Sequence, residues 1–180
     1  ALLMGKPTMV WMPKDNVNKI AAVPGVSTVS PQIYLSSMYG AACCAVSEMF
    51  IVVYDPDTDF TITPWLEQNL GRSLTKNEVI GGNYIFVPEG EQYIRLYGYD
   101  TDLVGILEPT GTGMDQTLFM TLATASAMAE ASRTTALMPL QFNPDLISTI
   151  MVKVAPEADP HRVAMQILRD TDGMTPLESP

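Results

Sequence analysis

The stretch VSEMFIVVYD, residues 46–55, is the most strand-like segment of this sequence. Its centre, Met49 to Tyr54, is an unbroken apolar run of six residues, rich in β-branched and aromatic side chains. Such a run is typical of a strand that is buried on both faces, so we expect it to be a central strand of a sheet. The neighbouring segments should then supply the strands and helices that cover it.

The residues that follow this strand predict a helix and then several short strands. Thr63 is a candidate N-cap, Pro64 suits the first helical position, and Gly71 lies just past the expected end of the helix. Residues 77–108 contain short apolar stretches separated by glycine and proline turns. This pattern favours an antiparallel β-meander over alternating β-α-β units.

The residues before the strand predict a short helix and another strand. Asp15 is a plausible N-cap, apolar residues recur at helical spacing after it, and Pro24-Gly25 should end the helix. The β-branched, partly alternating run from about Ser27 to Ser36 is typical of a strand.

The last third of the chain predicts two more helices. Residues 110–133, TGTGMDQTLFMTLATASAMAEASR, place apolar residues on one helical face and are predicted to contain the longest helix, with Thr112 and Asp115 as an acidic form of capping box. LISTIMVKV, residues 146–154, predicts a strand. Asp159 as N-cap and Pro160 in the first turn then predict a final helix.

The first and last parts of the sequence share a weak internal repeat. MVWMPKDNVNKIAAVPGVSTVSP and MVKVAPEADPHRVAMQILRDTDGMTPL both give a strand, a proline turn, a short amphipathic helix, a glycine and an extended segment. Two such β-α-β halves would form one pseudo-symmetric lobe, and the residues between them would form a second lobe.

Composition limits the class of protein. The net charge is −10, from 20 acidic and 10 basic residues, so nucleic-acid phosphate and anionic lipid would be repelled. Only 17% of residues are charged while 47% are apolar, which implies that a partner covers part of the surface. We expect no spanning helix, which needs about 18 to 20 apolar residues, and no signal peptide at Ala1.

The two cysteines, Cys43 and Cys44, are adjacent and leave three interpretations open. With Met38 and Met49 they offer soft sulfur ligands that suit copper(I). They could instead form a strained vicinal disulfide, or be two small apolar residues before a buried strand. Neighbouring residues of a regular strand point to opposite faces, which disfavours a shared ion.

Other motifs do not support catalysis or nucleotide binding. His161 is the only imidazole, and its place in the first turn of a helix favours a structural role. DPDTD, residues 55–59, begins like a calcium loop but has Phe60 and Leu66 where glycine and glutamate are required, so an Asx turn is expected. TGTGMD lacks the lysine of a phosphate-binding loop and is interpreted as a glycine hinge.

Several segments together resemble the extracytoplasmic core domain of FtsX/MacB/LolC-type ABC transporter permeases. They are VNKIAAVPGVSTVSPQIYL, FIVVYDPDTDFTITPWL, GRSLTKNEVIGG, TGTGMD and ISTIMVKVAPEADPHRVAMQI, which span nearly the whole chain. The resemblance implies one extracytoplasmic domain, residues 1–180, with an α+β, two-lobed fold. A porter-like β-α-β lobe would comprise residues 1–37 and 145–180, and an inserted, mostly antiparallel β lobe with a helix would comprise residues 38–144.

The same resemblance implies a function without catalysis and without a cofactor. In such permeases the domain is attached to transmembrane helices and works with a cytoplasmic ABC ATPase in a permease dimer. It would transmit ATP-driven motion and contact an extracytoplasmic cargo or partner through an apolar, methionine-bearing surface. The family supplies no catalytic residues and does not fix the substrate.

Two other functions remain as alternatives. One is a copper-binding or copper-sensing module built on Cys43, Cys44, Met38 and Met49. The other is an adhesion or scaffold module with no transporter attached. Neither requires a catalytic residue.

Overall fold

The computed structural model describes residues 11–37, 49–85 and 90–178. The helices are α1 Asn16–Ala21, α2 Thr63–Leu70, α3 Leu122–Thr135 and α4 Pro160–Asp170. The strands are β1 Met12–Pro13, β2 Val26–Ser36, β3 Phe50–Tyr54, β4 Glu78–Gly81, β5 Tyr93–Leu96, β6 Tyr99–Ile106, β7 Thr117–Thr121, β8 Leu146–Ile147 and β9 Thr149–Val154. A 3-10 turn, Gly113–Gln116, precedes β7.

A mixed sheet with the strand order β5-β6-β4-β7-β3-β2-β9 organises the described chain. The β3–β7 and β4–β6 pairs are parallel. The β5–β6, β4–β7, β2–β3 and β2–β9 pairs are antiparallel. β1 and β8 form a separate two-stranded sheet. Helices and a mixed sheet of this kind confirm the predicted α+β class.

The strand predicted to be central, β3, lies between β7 and β2. Ile51 and Val53 face a core that also contains Met128 of α3. Tyr54 faces the opposite core, which α2 covers with Leu66. Burial of this strand on both faces follows from its unbroken apolar sequence.

The first and last parts of the described chain pack together. Ile20 of α1 contacts the cluster that Val163 and Ile167 of α4 form over β2 and β9. β1 pairs with β8, and β2 pairs with β9. We call α1, β2, β9 and α4 the terminal unit. Its residues belong to the predicted porter-like lobe, and the division of the chain into two lobes stays a prediction because β2 also pairs directly with β3.

The segment 117–121 departs from the sequence interpretation. The apolar spacing extended the predicted long helix toward Leu118, but residues 117–121 form β7, and the helix begins at Leu122. Thr121 caps α3, with its hydroxyl accepting from the Thr124 N–H. All of β7 is buried beside β3, so partners on both edges outweigh local helical spacing.

The predicted meander is also only partly antiparallel. β5 and β6 form a hairpin, but β4 pairs parallel to β6. Residues 82–98 separate these two strands, and they include all of β5. A connection of this length permits a parallel crossover, which a short hairpin turn would not.

Two of the predicted helix ends are confirmed in full. Asp159 caps α4 through its carboxylate and the His161 N–H, and Gly71 adopts a left-handed conformation with φ of 76° after α2. Asp15 occupies the N-cap position of α1 without a side-chain hydrogen bond. Thr63 is the first residue of α2 instead of its N-cap.

Candidate functional site

A buried polar network joins the terminal unit to the middle of the chain. The Gln32 amide nitrogen on β2 donates to Asp59 Oδ2 at 3.0 Å and to Thr61 Oγ1 at 3.1 Å. Gln32 and Asp59 are 3% and 8% exposed, so the contact is shielded from water. Residues 27 positions apart are thereby fixed to one another by hydrogen bonds that have little competition from solvent.

The other oxygen of Asp59 holds the start of α2. Asp59 Oδ1 accepts from the backbone N–H groups of Thr61, Ile62 and Thr63, at 2.9, 2.5 and 2.9 Å. These donors have no partner inside the helix, and a carboxylate is well suited to satisfy them. Asp59 therefore performs the capping role that the sequence pattern assigned to Thr63. One side chain thus binds α2 through Oδ1 and β2 through Oδ2.

Tyr34 extends the network along β2. Its hydroxyl donates to Gln32 Oε1 at 3.1 Å. Burial, and then the charge of Asp59, raises the pKa of the Tyr34 hydroxyl, so it remains a donor at neutral pH. The hydrogen-bonding capacity of the Gln32 amide is used on both its oxygen and its nitrogen, which fixes the orientation of the amide.

Two buried hydroxyl groups next to this network lack a partner. Tyr54 and Thr63 each have a side-chain oxygen that is buried and makes no hydrogen bond among the described residues. Burial, followed by the charges of Asp59 and Glu67, raises the pKa of the Tyr54 hydroxyl well above its usual value. The Tyr54 hydroxyl therefore stays protonated at neutral pH, and Tyr54 is the residue of β3 that pairs with Gln32.

Exposed apolar side chains gather at one end of the sheet. At this end Phe50 pairs with Thr117, Leu118 with Gly81, and Gly81 with Ile106. Phe50, Ile106 and Tyr84 are 55%, 45% and 66% exposed. We call Phe50, Tyr84 and Ile106 the apolar end surface. Exposed apolar groups of this size at one end of a sheet are typical of contact surfaces.

The opposite end of the sheet is the end where β2 begins and β9 ends. There Val26 pairs with Val154, and the Ala155 N–H donates to Gly25 O at 2.9 Å. His161 in the first turn of α4 meets Glu178, with Nδ1 2.9 Å from Oε1. The last described residues therefore return to the end of the sheet that lies away from the apolar end surface.

The residues of the copper alternative are only partly described. Met38, Cys43 and Cys44 lie outside the described residues. Met49 is 4% exposed and packs in the apolar core, while its backbone N–H donates to Ser37 Oγ. Within residues 11–37, 49–85 and 90–178, no group of three or more histidine, cysteine, aspartate or glutamate side chains could hold a metal ion. The copper site stays a prediction.

His161 has a local partner. Its ring is exposed and pairs with Glu178, and its backbone N–H donates to Asp159. The hydrogen bond to Glu178, followed by the charges of Glu178 and Asp159, raises the pKa of the imidazole. The imidazole thus links the final segment of the described chain to the start of α4.

The two loops that resemble ligand-binding motifs are occupied by their own hydrogen bonds. Asp55 Oδ1 accepts from the Asp57 N–H at 3.1 Å, which is the expected Asx turn. In TGTGMD, the buried Asp115 carboxylate accepts from the backbone N–H groups of Thr110 and Gly111, at 2.7 and 2.8 Å. The hydrogen bond from Thr110 is the largest cause that lowers the pKa of Asp115.

Sequence reasoning missed the residues of the polar network. The available signal was Gln32, a polar residue between Pro31 and Ile33 in a strand, together with an aspartate four residues before Thr63. Each is ordinary alone, since glutamine is common on exposed strand faces and aspartate is common before helices. Only the approach of the loop before α2 to β2 in the folded domain brings them together.

Comparison with known proteins identifies the family. The family model described as "MacB-like periplasmic core domain" matches residues 4–169. The extracellular domain of the noncanonic ABC-type transporter YknZ from Gram-positive bacteria has a similar fold, with a TM-score of 0.51 at 13% identity. That match covers 88% of this chain and 81% of the other. The periplasmic region of MacB from Actinobacillus actinomycetemcomitans gives a TM-score of 0.53 at 10% identity, over 88% and 72% of the two chains. No curated protein matches the chain.

The match to the family model covers most of the sequence, so the chain belongs to the family of MacB-like periplasmic core domains. It is an extracytoplasmic domain of a MacB-like ABC transporter. The family resemblance and the fold class that the sequence suggested are both confirmed. In the part of the chain that the structure describes, no helix is both long and apolar enough to span a bilayer.

Proposed function

We propose that this domain transmits ATP-driven motion of the transporter and contacts a cargo or partner outside the membrane, without catalysing a reaction. In this proposal the domain is joined to the transmembrane helices of its own permease. The permease would work as a dimer with a cytoplasmic ABC ATPase. The observation that carries the proposal is the pairing of the first and last described segments in one terminal unit.

The terminal unit is suited to receive motion from two membrane helices at once. β2 and β9 are hydrogen-bonded from Val26 to Gln32, and α1 packs against α4 above them. A displacement applied near either segment would therefore move both, because separating them would break a sheet ladder and expose an apolar cluster.

The link from the terminal unit to the rest of the domain is suited to carry that motion onward. β2 pairs with β3 from Gln32 to Ser36, and the Gln32–Asp59 contact adds a connection to α2. Backbone hydrogen bonds across a buried sheet resist sliding, because a shift of one residue would turn apolar side chains to the opposite face. A movement of β2 that keeps this register should therefore act on β3 through the sheet and on α2 through the Gln32–Asp59 contact.

Pulsed EPR distances in the full transporter would test the transmission of motion. The permease and its ATPase would be reconstituted in nanodiscs, with Cys43 and Cys44 replaced by serine and a spin label at Glu157→Cys or Glu91→Cys. Both sites are exposed, one beside the terminal unit and one beside β5. ATP with vanadate should change the distance between the two copies at both sites, and an ATPase-inactive variant should show no change. Unchanged distances at both sites in the active transporter would overturn the proposal.

The apolar end surface is the proposed contact site for a cargo or partner. It lies at the end of the sheet away from the last described residues, and it exposes three large apolar side chains. Phe50→Ser with Tyr84→Ser should abolish complementation of a strain that lacks the transporter, while expression and ATP hydrolysis are retained. Leu137→Ser is the matched control, since Leu137 is an exposed apolar residue outside this surface. Full complementation by the double variant would contradict this contact site.

A further inference from the structure

The unpaired hydroxyls of Tyr54 and Thr63 raise a question about the Asp59 network. Buried polar groups are almost always hydrogen-bonded, because an unpaired one loses its water without gaining a partner. The two residues that carry these groups adjoin the Asp59 network, Thr63 through its N–H and Tyr54 through its pairing with Gln32. Among the described residues, neither hydroxyl donates to the Asp59 carboxylate.

Both residues with an unpaired hydroxyl lie next to the Asp59 network. The Thr63 N–H donates to Asp59 Oδ1 at 2.9 Å, so the hydroxyl of the same residue lies near the carboxylate. Tyr54 pairs with Gln32 across β2 and β3, so the two side chains leave the same face of the sheet, and Gln32 contacts Asp59 there. In the arrangement described, Oδ2 accepts instead from Gln32 and from the Thr61 hydroxyl.

We propose that Asp59 is a latch that exchanges partners when β2 moves. In the first state Oδ2 accepts from the Gln32 amide and holds β2 against α2. In the second state β2 has shifted, the amide has left, and Oδ2 accepts from the hydroxyl of Tyr54 or Thr63. The inference rests on the proposed function, because the shift of β2 is the motion that the domain would transmit.

The two oxygens of Asp59 make such an exchange feasible. Oδ1 keeps its three backbone donors at the start of α2 in both states, so the helix does not have to unfold. Only the partners of Oδ2 change. The buried charge stays hydrogen-bonded throughout, which avoids the large cost of an unpaired buried carboxylate. Pairing a hydroxyl that was unpaired compensates for the lost amide, and two packings of similar free energy form a switch.

Background-dependent stability of the purified 180-residue chain would test the latch. In the parent, Tyr54→Phe should change the unfolding equilibrium constant by less than about twofold, because the hydroxyl has no partner to lose within residues 11–37, 49–85 and 90–178. In a Gln32→Met background Oδ2 loses its amide donor and keeps the Thr61 hydroxyl. There Tyr54→Phe, or Thr63→Val if the threonine is the second partner, should raise the unfolding constant about three- to tenfold.

Tyr99→Phe is the matched control, because the Tyr99 hydroxyl already donates to Asn77 Oδ1. Its cost should be the same in both backgrounds. Equal costs of Tyr54→Phe and of Thr63→Val in the parent and in Gln32→Met would overturn the latch.

A spectroscopic readout applies even if the loss in stability makes unfolding hard to measure. With tyrosine labelled with carbon-13 at Cζ, Gln32→Met should shift the Tyr54 signal, and Asp59→Asn in the same background should reverse the shift. If the threonine is the second partner, the Thr63 hydroxyl environment should change in the same way. No change at either residue would also overturn the latch. Neither experiment needs ATP or a membrane, so its failure would leave the proposed transmission of motion intact.

Discussion

Asp59 and Asp115 are buried carboxylates that the fold uses in different ways. Both lie in short loops and both accept several backbone N–H groups. The side-chain hydrogen bonds of Asp115 stay within five residues, since its carboxylate accepts from Thr110 and Gly111. Asp59 makes the same kind of local contacts and also reaches Gln32, 27 residues away.

The difference separates a local role from a coupling role. A carboxylate that bonds only its own loop stabilises the shape of that loop. A carboxylate that also bonds a distant strand makes the position of that strand depend on the loop. Variants of either aspartate should therefore destabilise the loop around it to a similar extent. Variants of Asp59 should also destabilise a distant strand.

The largest effect is expected for Gly82→Ala, which would displace the loop that Asp115 shapes. A Cβ at Gly82 would lie 2.1 Å from Met114 O and 2.7 Å from the carbonyl carbon of Asp115, both backbone atoms. Because backbone cannot move aside as a side-chain end can, we expect a loss of more than about 4 kcal/mol in the free energy of unfolding. Chemical denaturation would measure it.

Gly113→Ala is the control for this prediction, since a Cβ there meets no atom within 4 Å. It should change the free energy of unfolding by less than about 0.5 kcal/mol. If Gly82→Ala were as stable as the parent, residues 110–115 would have moved away from β4 without cost. The Asp115 hydrogen bonds would then not fix the shape of this loop.

A smaller effect is expected for Asp59→Ala, at about 3 kcal/mol, because it removes a helix cap and leaves the Gln32 amide buried without its partner.

Asp59→Asn can keep an oxygen for the α2 donors but places an NH2 group opposite the Gln32 NH2 group. Hydrogen exchange should therefore quicken in β2 as well as in α2. In Asp115→Asn the change should stay within residues 110–116. Identical exchange patterns for the two asparagine variants would remove the distinction between them.

Features that depend on neighbouring residues were predictable from the sequence. The apolar run of β3 specifies burial wherever the strand lies, and Asp159-Pro160 specifies the start of α4 through its own backbone geometry. The family resemblance rested on such local motifs as well. These elements need little information about the rest of the fold.

Features that depend on distant contacts were not predictable. Residues 117–121 have helical apolar spacing, and only the strands on either side of them make β7 the better solution. The parallel pairing of β4 with β6 and the Gln32–Asp59 contact arise in the same way, from chain segments that meet only in the folded domain. Periodicity carries no information about which distant partner a residue will find.

The smallest effect is expected for Glu78, a carboxylate that is more accessible than Asp59 or Asp115. Its oxygens accept two hydrogen bonds from Arg72, each at 2.7 Å. These bonds are the main cause that lowers the pKa of Glu78 from 4.5 to about 2. Because the folded-state pKa is the lower one, the pair stabilises the fold above pH 4.5, and its contribution is lost as the pH falls toward 2.

Since Arg72 is half exposed, Glu78→Gln should cost only about 0.5–1 kcal/mol near neutral pH, and parent and variant should become equally stable near pH 2. Denaturant unfolding at a series of pH values would show the two curves converging. Glu157→Gln controls for the loss of one negative charge at an exposed site without such a partner in the described chain. If Glu78→Gln lowered the free energy of unfolding as much as Asp59→Ala, the exposed Arg72–Glu78 pair would stabilise the fold as much as the buried Asp59 network. The contrast between local and coupling carboxylates would then not depend on burial.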